Sequence, residues 1–319
     1  MASRDRSWQL PEREVTPEAL YRSRRRFLRG ALAAAALPLT RCMPNEEESV
    51  ATTPPLDRWW AEGSGGVPLN DRYPAGRPVT PEETATTINN YYELALSRNG
   101  PVTLADRLVT RPWTVEVTGL VERPLTLDVD ALIARFTLEE RIYRQRCVEG
   151  WAITVPWLGF PLRSLLDLVS PLASATHVRF VSGFDAEVME GAAILSDYPW
   201  PYHEGLTIAE ATHDLTFLSV GMYGRVLPNQ NGAPLRLNVP WKWGYKSIKA
   251  IVRIELTDQE PPTLWNTVSP SRYDFVSNVD PSSLSVPWSQ QREYLLPDGP
   301  YAATELYNGY GAWVADLYR

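Results

Sequence analysis

Proline is the feature that most restricts what this chain can fold into. There are 28 prolines among 319 residues, and 19 glycines add further interruptions. Because proline cannot continue a helix or sit in the middle of a sheet, the regular segments between these residues must be short. The sequence therefore excludes a helical bundle and predicts an α+β domain in which strands dominate. With 44% hydrophobic residues, the chain has enough apolar side chains to form a core.

Short alternating and periodic patterns indicate where the elements lie. Strands are predicted at 113–120, 141–148, 177–182, 187–195, 215–220, 235–239 and 248–256. Helices are predicted at 127–136, at 161–169 and directly after Thr80-Pro81, where a hydroxyl N-cap precedes proline and two acids. Beyond residue 258 the chain is predicted to be mostly irregular. Because no linker interrupts this pattern, residues 52–319 are predicted to form one domain.

Residues 1–51 are predicted to be an export leader that is removed from the mature chain. Arg24 and Arg25 are followed by Phe27-Leu28 and by a short apolar stretch at 30–39, which is typical of a twin-arginine signal. No apolar run reaches the roughly 18 residues that span a bilayer. We therefore expect a periplasmic protein that is exported already folded, as is common where a cofactor is inserted before export.

Charge is distributed unevenly along the chain. Residues 1–45 carry a net charge of +5, whereas residues 46–319 carry −12. This acidic balance argues against nucleic acid as a partner. All three lysines, Lys242, Lys246 and Lys249, lie within eight residues of one another. They form either a cation cluster that binds an anion or part of a solvated loop.

Cys147 is the only cysteine beyond the leader, which contains Cys42. A single thiol cannot form an internal disulfide, so Cys147 is a metal ligand, a nucleophile or a buried structural thiol. Arg141, Arg144 and Arg146 precede it, and such cations favour the thiolate form that binds a soft metal. The three histidines of the chain show no recognisable Cys-His nucleophile pattern. Counts this low also exclude a zinc finger or a disulfide framework.

Six segments beyond the leader carry a family resemblance. They are Asn89-Asn90-Tyr91-Tyr92-Glu93, the strand pattern at 112–120, Arg146-Cys147-Val148-Glu149-Gly150-Trp151, the segments at 229–236 and 240–249, and Asn308-Gly309-Tyr310. In this order they resemble the sulfite-oxidase-type molybdenum enzymes. Among those enzymes they are most similar to the exported branch that reduces methionine sulfoxide in proteins. The resemblance covers nearly the whole mature chain, and it rests on several independent motifs.

The resemblance implies a sulfite-oxidase-like molybdopterin-binding fold, with molybdenum held by the pterin dithiolene and the Cys147 thiolate. The implied cofactor contacts are Asn89, Tyr92, Glu93, Cys147, Ser182, Asn231, Arg236, Ser247, Ile248 and Lys249. Ser182 stands where the family usually has threonine, a change that keeps the hydroxyl. The reaction also needs a proton donor near the metal, and Glu149, two residues after the Cys147 ligand, is the first candidate, with Tyr92 the second.

Elementary chemistry agrees with part of this set. The phosphate of a pterin needs fixed cations, which Arg236 and Lys249 offer, and the ring edge needs amides, which Asn89 and Asn231 offer. Each residue type also has an ordinary explanation. Asn231 stands in a turn before glycine, Asn89 can end a helix, and Glu149 can pair with a neighbouring arginine.

The resemblance also implies partners and leaves a second chemistry open. Electrons would come from a membrane haem b subunit, and the substrates would be oxidised periplasmic proteins, with this chain acting as a monomeric catalytic subunit. The alternative is sulfite oxidation, for which Arg144 and Arg146 would hold the anion. The sequence Cys-Val-Glu at 147–149 favours the reductase over animal and plant sulfite oxidases, which have Cys-Ala-Gly. An exported β-rich binding module is a third alternative.

Overall fold

Two sheets carry the fold of residues 67–319, which are the residues that the computed structural model describes. The strands are β1 (Thr114–Gly119), β2 (Leu125–Asp128), β3 (Glu139–Arg146), β4 (Trp151–Pro161), β5 (His177–Ser182), β6 (His203–Thr207), β7 (Phe217–Met222), β8 (Arg225–Val226), β9 (Arg236–Asn238), β10 (Ile251–Thr257), β11 (Arg292–Leu295) and β12 (Tyr301–Ala303). The helices are α1 (Glu82–Thr87), α2 (Gly100–Leu104), α3 (Val129–Ile133), α4 (Leu162–Val169), α5 (Glu190–Ile194), α6 (Ile208–Thr212), α7 (Leu264–Val268) and α8 (Gly311–Val314). The predicted leader and its twin-arginine motif lie outside the described residues.

The first sheet has five strands in the order β2-β1-β10-β5-β6. β1 runs parallel to β10, and the other neighbours are antiparallel. Val115 and Val117 of β1 and Val178 and Phe180 of β5 are buried on alternate positions, as expected for strands with one face on the core. β5 ends at Ser182.

The second sheet is built around β4. This strand is buried from Trp151 to Phe160, and it pairs antiparallel with β3 and β7 and parallel with β11. β8 and β9 continue the sheet beyond β7, and β12 continues it beyond β11. The turn at 147–150 joins β3 to β4, so the cysteine lies at the end of two paired strands.

The predicted strand-dominated α+β class is confirmed. Most predicted strands are present with shifted ends, and α4 matches the predicted helix at 161–169. The region predicted as a helix at 127–136 contains the end of β2 and then α3. Asp128 marks that change, because its side chain accepts a 2.9 Å hydrogen bond from Asp130 N. Thr80 does not cap α1 as predicted, and its hydroxyl instead accepts a 3.0 Å hydrogen bond from Thr154 N.

The strand predicted at 187–195 is wrong. The segment at 187–195 contains helix α5 instead of a strand, because Gly191 N and Ala192 N donate to the carbonyls of Leu94 and Glu93 in a distant segment. The chain beyond residue 258 is mostly irregular, as predicted, and the short elements β11, β12, α7 and α8 lie within it. Strands β4 and β6 were not predicted, and in β4 Pro156 and Gly159 interrupt the sequence pattern.

A large apolar cluster extends across both sheets. Trp157, Trp241, Phe160, Phe180 and Phe217 are at most 1% exposed within it. These large aromatic side chains therefore fill the core between the two sheets. Between residues 67 and 319, no helix combines the length and hydropathy of a membrane span.

Candidate active site

A cavity of about 170 Å³ opens beside the turn that joins β3 to β4. Its wall comes from the segment after α1, the 147–149 turn, the residues around β9, the 244–249 segment, and aromatic residues of the C-terminal part. Ten of the eleven residues singled out from the sequence line this cavity: Asn89, Tyr92, Glu93, Cys147, Glu149, Asn231, Arg236, Ser247, Ile248 and Lys249. The topology thus brings together residues that are up to 160 positions apart in the chain.

Ser182 is the predicted site residue that does not line the cavity. It is 2% exposed at the end of β5, and its hydroxyl donates a 3.1 Å hydrogen bond to the Gly183 carbonyl. The hydroxyl is therefore bonded to the backbone of the neighbouring residue. Its predicted role as a cofactor contact gains no support from this geometry.

The cysteine turn is held by its own backbone. Cys147 N donates to Trp151 O at 2.9 Å, and Gly150 N donates to Cys147 O at 3.1 Å. Gly150 has φ of +94°, which side-chain-bearing residues rarely adopt. The Cys147 Sγ atom accepts hydrogen bonds from Glu149 N at 3.3 Å and from Asn90 Nδ2 at 3.4 Å. These bonds point the sulfur at the cavity.

Arg146 acts on the Cys147 thiol in the predicted direction, but its effect is outweighed, and the arginines do not make the free thiol a thiolate. Burial, and after it the charge of Glu149, raises the pKa of the thiol to about 12, although Arg146 and Arg98 lower it slightly. Arg141 and Arg144 are paired with acids elsewhere, Arg141 with Asp214 and Arg144 with Glu305. The desolvation of the thiolate outweighs the nearby cations, so the free thiol stays protonated. A soft metal ion bound at the sulfur would favour the thiolate, because a coordinating thiol is deprotonated.

Glu149 is the centre of a small polar network at the cavity. Its carboxylate accepts a 2.7 Å hydrogen bond from the Tyr92 hydroxyl and a 3.3 Å bond from Trp151 Nε1. Arg98 Nε lies 3.6 Å from the same carboxylate. Glu149 therefore also forms an ion pair with an arginine, which was the ordinary explanation for this residue. Burial, followed by the hydrogen bond to Glu149, raises the pKa of Tyr92, which therefore remains a proton donor.

Several buried polar atoms face the cavity without a protein partner. Within residues 67–319, Asn89 Nδ2 and Oδ1, Asn231 Oδ1 and Arg236 Nε form no hydrogen bond. Such atoms are costly to bury unless a ligand satisfies them. Arg236 also lies 4.7 Å over the Trp157 ring, and burial lowers the pKa of its guanidinium to about 9. The cavity thus offers amide donors and acceptors together with a buried cation, as the ring edge and phosphate of a pterin require.

The lysine cluster separates into two structural residues and one residue of the cavity. Lys242 is paired with Glu210, and Lys246 with Glu204 at 2.7 Å, all of them at most 1% exposed. Lys249 faces the cavity instead, where its Nζ donates to Asn90 O at 2.7 Å. Burial, and then the neighbouring Arg236, lowers the pKa of Lys249. Only Lys249 is therefore placed to meet an anion, which corrects the view of the three lysines as one site.

Three residues near the cavity were missed from the sequence as contributors. Asn90 contacts the sulfur, and Trp265 and Tyr273 form an aromatic wall beside Tyr92, with the Trp265 ring 5.5 Å from that of Tyr92. Asn90 lies in the quoted Asn-Asn motif, so its position was a signal. The two aromatic residues carried none, because they lie more than 100 positions from the cysteine.

Comparison with known proteins agrees with this site. A family model described as the oxidoreductase molybdopterin binding domain matches residues 99–265. The protein-methionine-sulfoxide reductase catalytic subunit MsrP of Burkholderia mallei is 44% identical over 316 residues, covering 97% of this chain and 93% of the relative. The protein of the same name from Gluconobacter oxydans is 43% identical over 312 residues, covering 96% and 94%.

Among solved structures, the sulfane dehydrogenase SoxCD of Paracoccus pantotrophus matches with a TM-score of 0.41 and 16% identity, over 72% of this chain and 59% of that chain. The assignment rests on the sequence relatives and the family model. The chain therefore carries an oxidoreductase molybdopterin binding domain and belongs to the family of protein-methionine-sulfoxide reductase catalytic subunits.

Proposed function

We propose that this chain reduces methionine sulfoxide to methionine with a molybdenum-pterin cofactor held in the cavity beside Cys147. The observation that carries the proposal is a single thiol facing the same cavity as the unsatisfied polar atoms of Asn89, Asn231 and Arg236. The names of the relatives that match nearly the whole chain support the same reaction. When bound, the cofactor supplies the two-electron chemistry that removal of the sulfoxide oxygen requires.

The residues of the cavity have separable roles in holding such a group. Cys147 would bind the metal, a soft ion that prefers thiolate ligands. Arg236 and Lys249 would hold the phosphate end. Arg236 would donate two hydrogen bonds to it, and Lys249 would contribute a compact positive charge. Asn89 and Asn231 would bond the edge of the pterin ring. This division uses the buried polar atoms that the protein itself leaves without partners.

Conversion of a sulfoxide to a thioether and water takes up two protons as well as two electrons. The Tyr92 hydroxyl and the Glu149 carboxylate are joined by a 2.7 Å hydrogen bond at the cavity wall. The Glu149 side chain is 25% exposed, and Arg98 beside it is 51% exposed, so the pair reaches from the cavity to solvent. We propose that Tyr92 and Glu149 carry protons to the substrate oxygen.

The alternative of sulfite oxidation has less support from the same geometry. Arg146 is fully buried, with its Nε 2.9 Å from Glu293, and its guanidinium lies over the Trp243 ring. Arg144 is paired with Glu305. Both arginines that a sulfite site would need are thus used in ion pairs with acids of the C-terminal segment. A neutral sulfoxide has no need of them.

Substrate kinetics on one preparation test the proposed function. We expect oxidised protein and free methionine sulfoxide to be reduced with a dye donor, and sulfite to be oxidised with a kcat/KM lower by about 100-fold or more. The reason is that the two arginines suited to an anion are committed to Glu293 and Glu305. The Cys147→Ser protein measures the background rate. Rapid sulfite oxidation with oxidised protein left untouched would show that the alternative function is the right one.

We also propose that the protein works in the periplasm and receives its electrons from a membrane haem b subunit. The twin-arginine pattern of Arg24 and Arg25 and the family resemblance support this. Replacing both arginines by lysine is expected to keep the enzyme inside the cytoplasm, with dye-dependent activity intact in the extract. Deleting the membrane subunit is expected to leave dye-dependent activity but remove activity in cells. Normal activity in cells of either strain contradicts the corresponding proposal.

A further inference from the structure

The C-terminal segment at 288–294 packs against the cysteine turn. Trp288 Nε1 and Gln290 Nε2 both donate to the Val148 carbonyl at 2.7 Å, and Tyr294 N donates to the Gly150 carbonyl at 2.8 Å. Arg146 donates to the carbonyl of Cys147 itself. These residues of the segment lie beyond the range at 99–265 that matches the molybdopterin binding domain.

Gln290 makes the most specific of these contacts. It is 1% exposed, and its amide uses both ends at once. The Nε2 group donates to Val148 O at 2.7 Å, and the Oε1 atom accepts from Arg146 Nη2 at 2.8 Å. Since Val148 follows Cys147 and Arg146 precedes it, the glutamine bridges the two residues that flank the thiol.

The support behind Gln290 is rigid. Arg146 is held by Glu293, whose side chain is fully buried, and Arg77 pairs with the same carboxylate. Thr304 Oγ1 and the Trp243 ring contact the Arg146 guanidinium as well. A side chain placed between such fixed groups has one orientation, so it can transmit that orientation to the turn.

We propose that Gln290 is a positioning residue that fixes the turn carrying Cys147, and thereby the direction from which the sulfur reaches the metal. The inference rests on the proposed function only in that Cys147 binds the metal. Hydrogen bonds around a metal ligand set its orientation, and their loss typically costs 10–100-fold in metal affinity or activity. Gln290 contacts neither cofactor nor substrate in this arrangement, since it does not line the cavity.

Gln290→Met tests the proposal because methionine keeps the length of the side chain and loses both hydrogen bonds. We expect kcat with a dye donor to fall about 10-fold and the electron paramagnetic resonance spectrum of the Mo(V) state to change. In cofactor-free protein, we expect the alkylation rate of Cys147 to rise about 10-fold, as for local opening after the loss of two hydrogen bonds. Loss of molybdenum from a folded variant would also support the proposal. Gln291→Met, at the exposed neighbouring position, is the matched control and is expected to behave as wild type.

An unchanged spectrum and an unchanged alkylation rate would overturn the proposal, even if Gln290→Met lowers Tm, because the residue would then act on stability alone. If Gln290→Met does not fold, Trp288→Phe removes the other side-chain donor to Val148 O from a side chain that is 45% exposed. Because Trp288 itself lines the cavity, the alkylation rate of Cys147 in cofactor-free protein is then the deciding measurement. The alkylation rate needs neither metal nor substrate. Failure of wild-type protein to reduce methionine sulfoxide would therefore count against the proposed function and leave this test intact.

Discussion

Cys147→Ser is expected to lower the reduction of methionine sulfoxide by about 100-fold or more while the protein remains folded. Serine fits the turn, because its hydroxyl can accept the hydrogen bonds that Glu149 N and Asn90 Nδ2 give to the sulfur. It cannot replace the sulfur chemically, since a hydroxyl is a poor ligand for a soft metal. The measurement is dye-dependent turnover of an oxidised protein, together with molybdenum content.

The same variant separates a ligand from a structural thiol. A structural role predicts a loss of stability with activity retained in proportion to folded protein, whereas a ligand role predicts a near-normal Tm with activity lost. Cys147→Ala removes the hydrogen-bond acceptor as well and is the second comparison. Full turnover in the serine protein would end the assignment of Cys147 as the metal ligand.

Local sequence patterns predicted the strand-dominated class and most strands, and they failed where distant contacts decide the structure. The segment of α5 has an alternating pattern but becomes helical where Gly191 bonds to the chain near Leu94. β4 contains Pro156 and Gly159, which argue against a strand, yet it is the central strand of its sheet because three neighbours pair with it. Neither outcome is visible in a local window.

The site was predicted mainly by resemblance, and physical reasoning from composition alone misjudged its charges. Three arginines before Cys147 suggested a thiolate, but each of them is paired with an acid that is distant in the sequence. The pairs are Arg141 with Asp214, Arg144 with Glu305, and Arg146 with the fully buried Glu293. The clustered lysines suggested one anion site, but Lys242 is held by Glu210 in the interior. Partners of charged groups come from tertiary contacts, so charge counts along the chain do not determine them. Gln290 was missed for the same reason, since its contact with Val148 spans 142 positions.

Arg236→Met is expected to reduce the molybdopterin content of the purified protein by about 10-fold or more, with little loss of stability in the cofactor-free state. Arg236 is 5% exposed, its Nε has no partner among the described residues, and no acid is paired with it there. Without a ligand, an unpaired buried cation destabilises the fold, and replacing it by an apolar side chain of similar length relieves that cost. Methionine keeps the contact with the Trp157 ring but loses the hydrogen bonds to Asn231 O and Ser247 O. These effects oppose each other, so the free energy of unfolding is expected to change by only about 1 kcal/mol.

Arg141→Met provides the matched contrast, because Arg141 is equally buried but is paired with Glu139 and Asp214 at the far side of β3. Its removal leaves Glu139 without its cation and Asp214 with only the exposed Arg72 at 3.6 Å. We expect it to lower the free energy of unfolding by about 2–3 kcal/mol, reduced from the fully buried case because both acids are partly exposed. The two arginines should therefore give opposite results. Arg236→Met loses the cofactor and keeps the fold, whereas Arg141→Met weakens the fold and, in the fraction that folds, keeps the cofactor.

Cofactor content by fluorescence of the released pterin and unfolding in denaturant measure the two quantities. A large loss of stability in cofactor-free Arg236→Met would show that the buried guanidinium is a structural residue, and equal cofactor loss in folded Arg141→Met would show that the cavity does not select Arg236 as its anion contact.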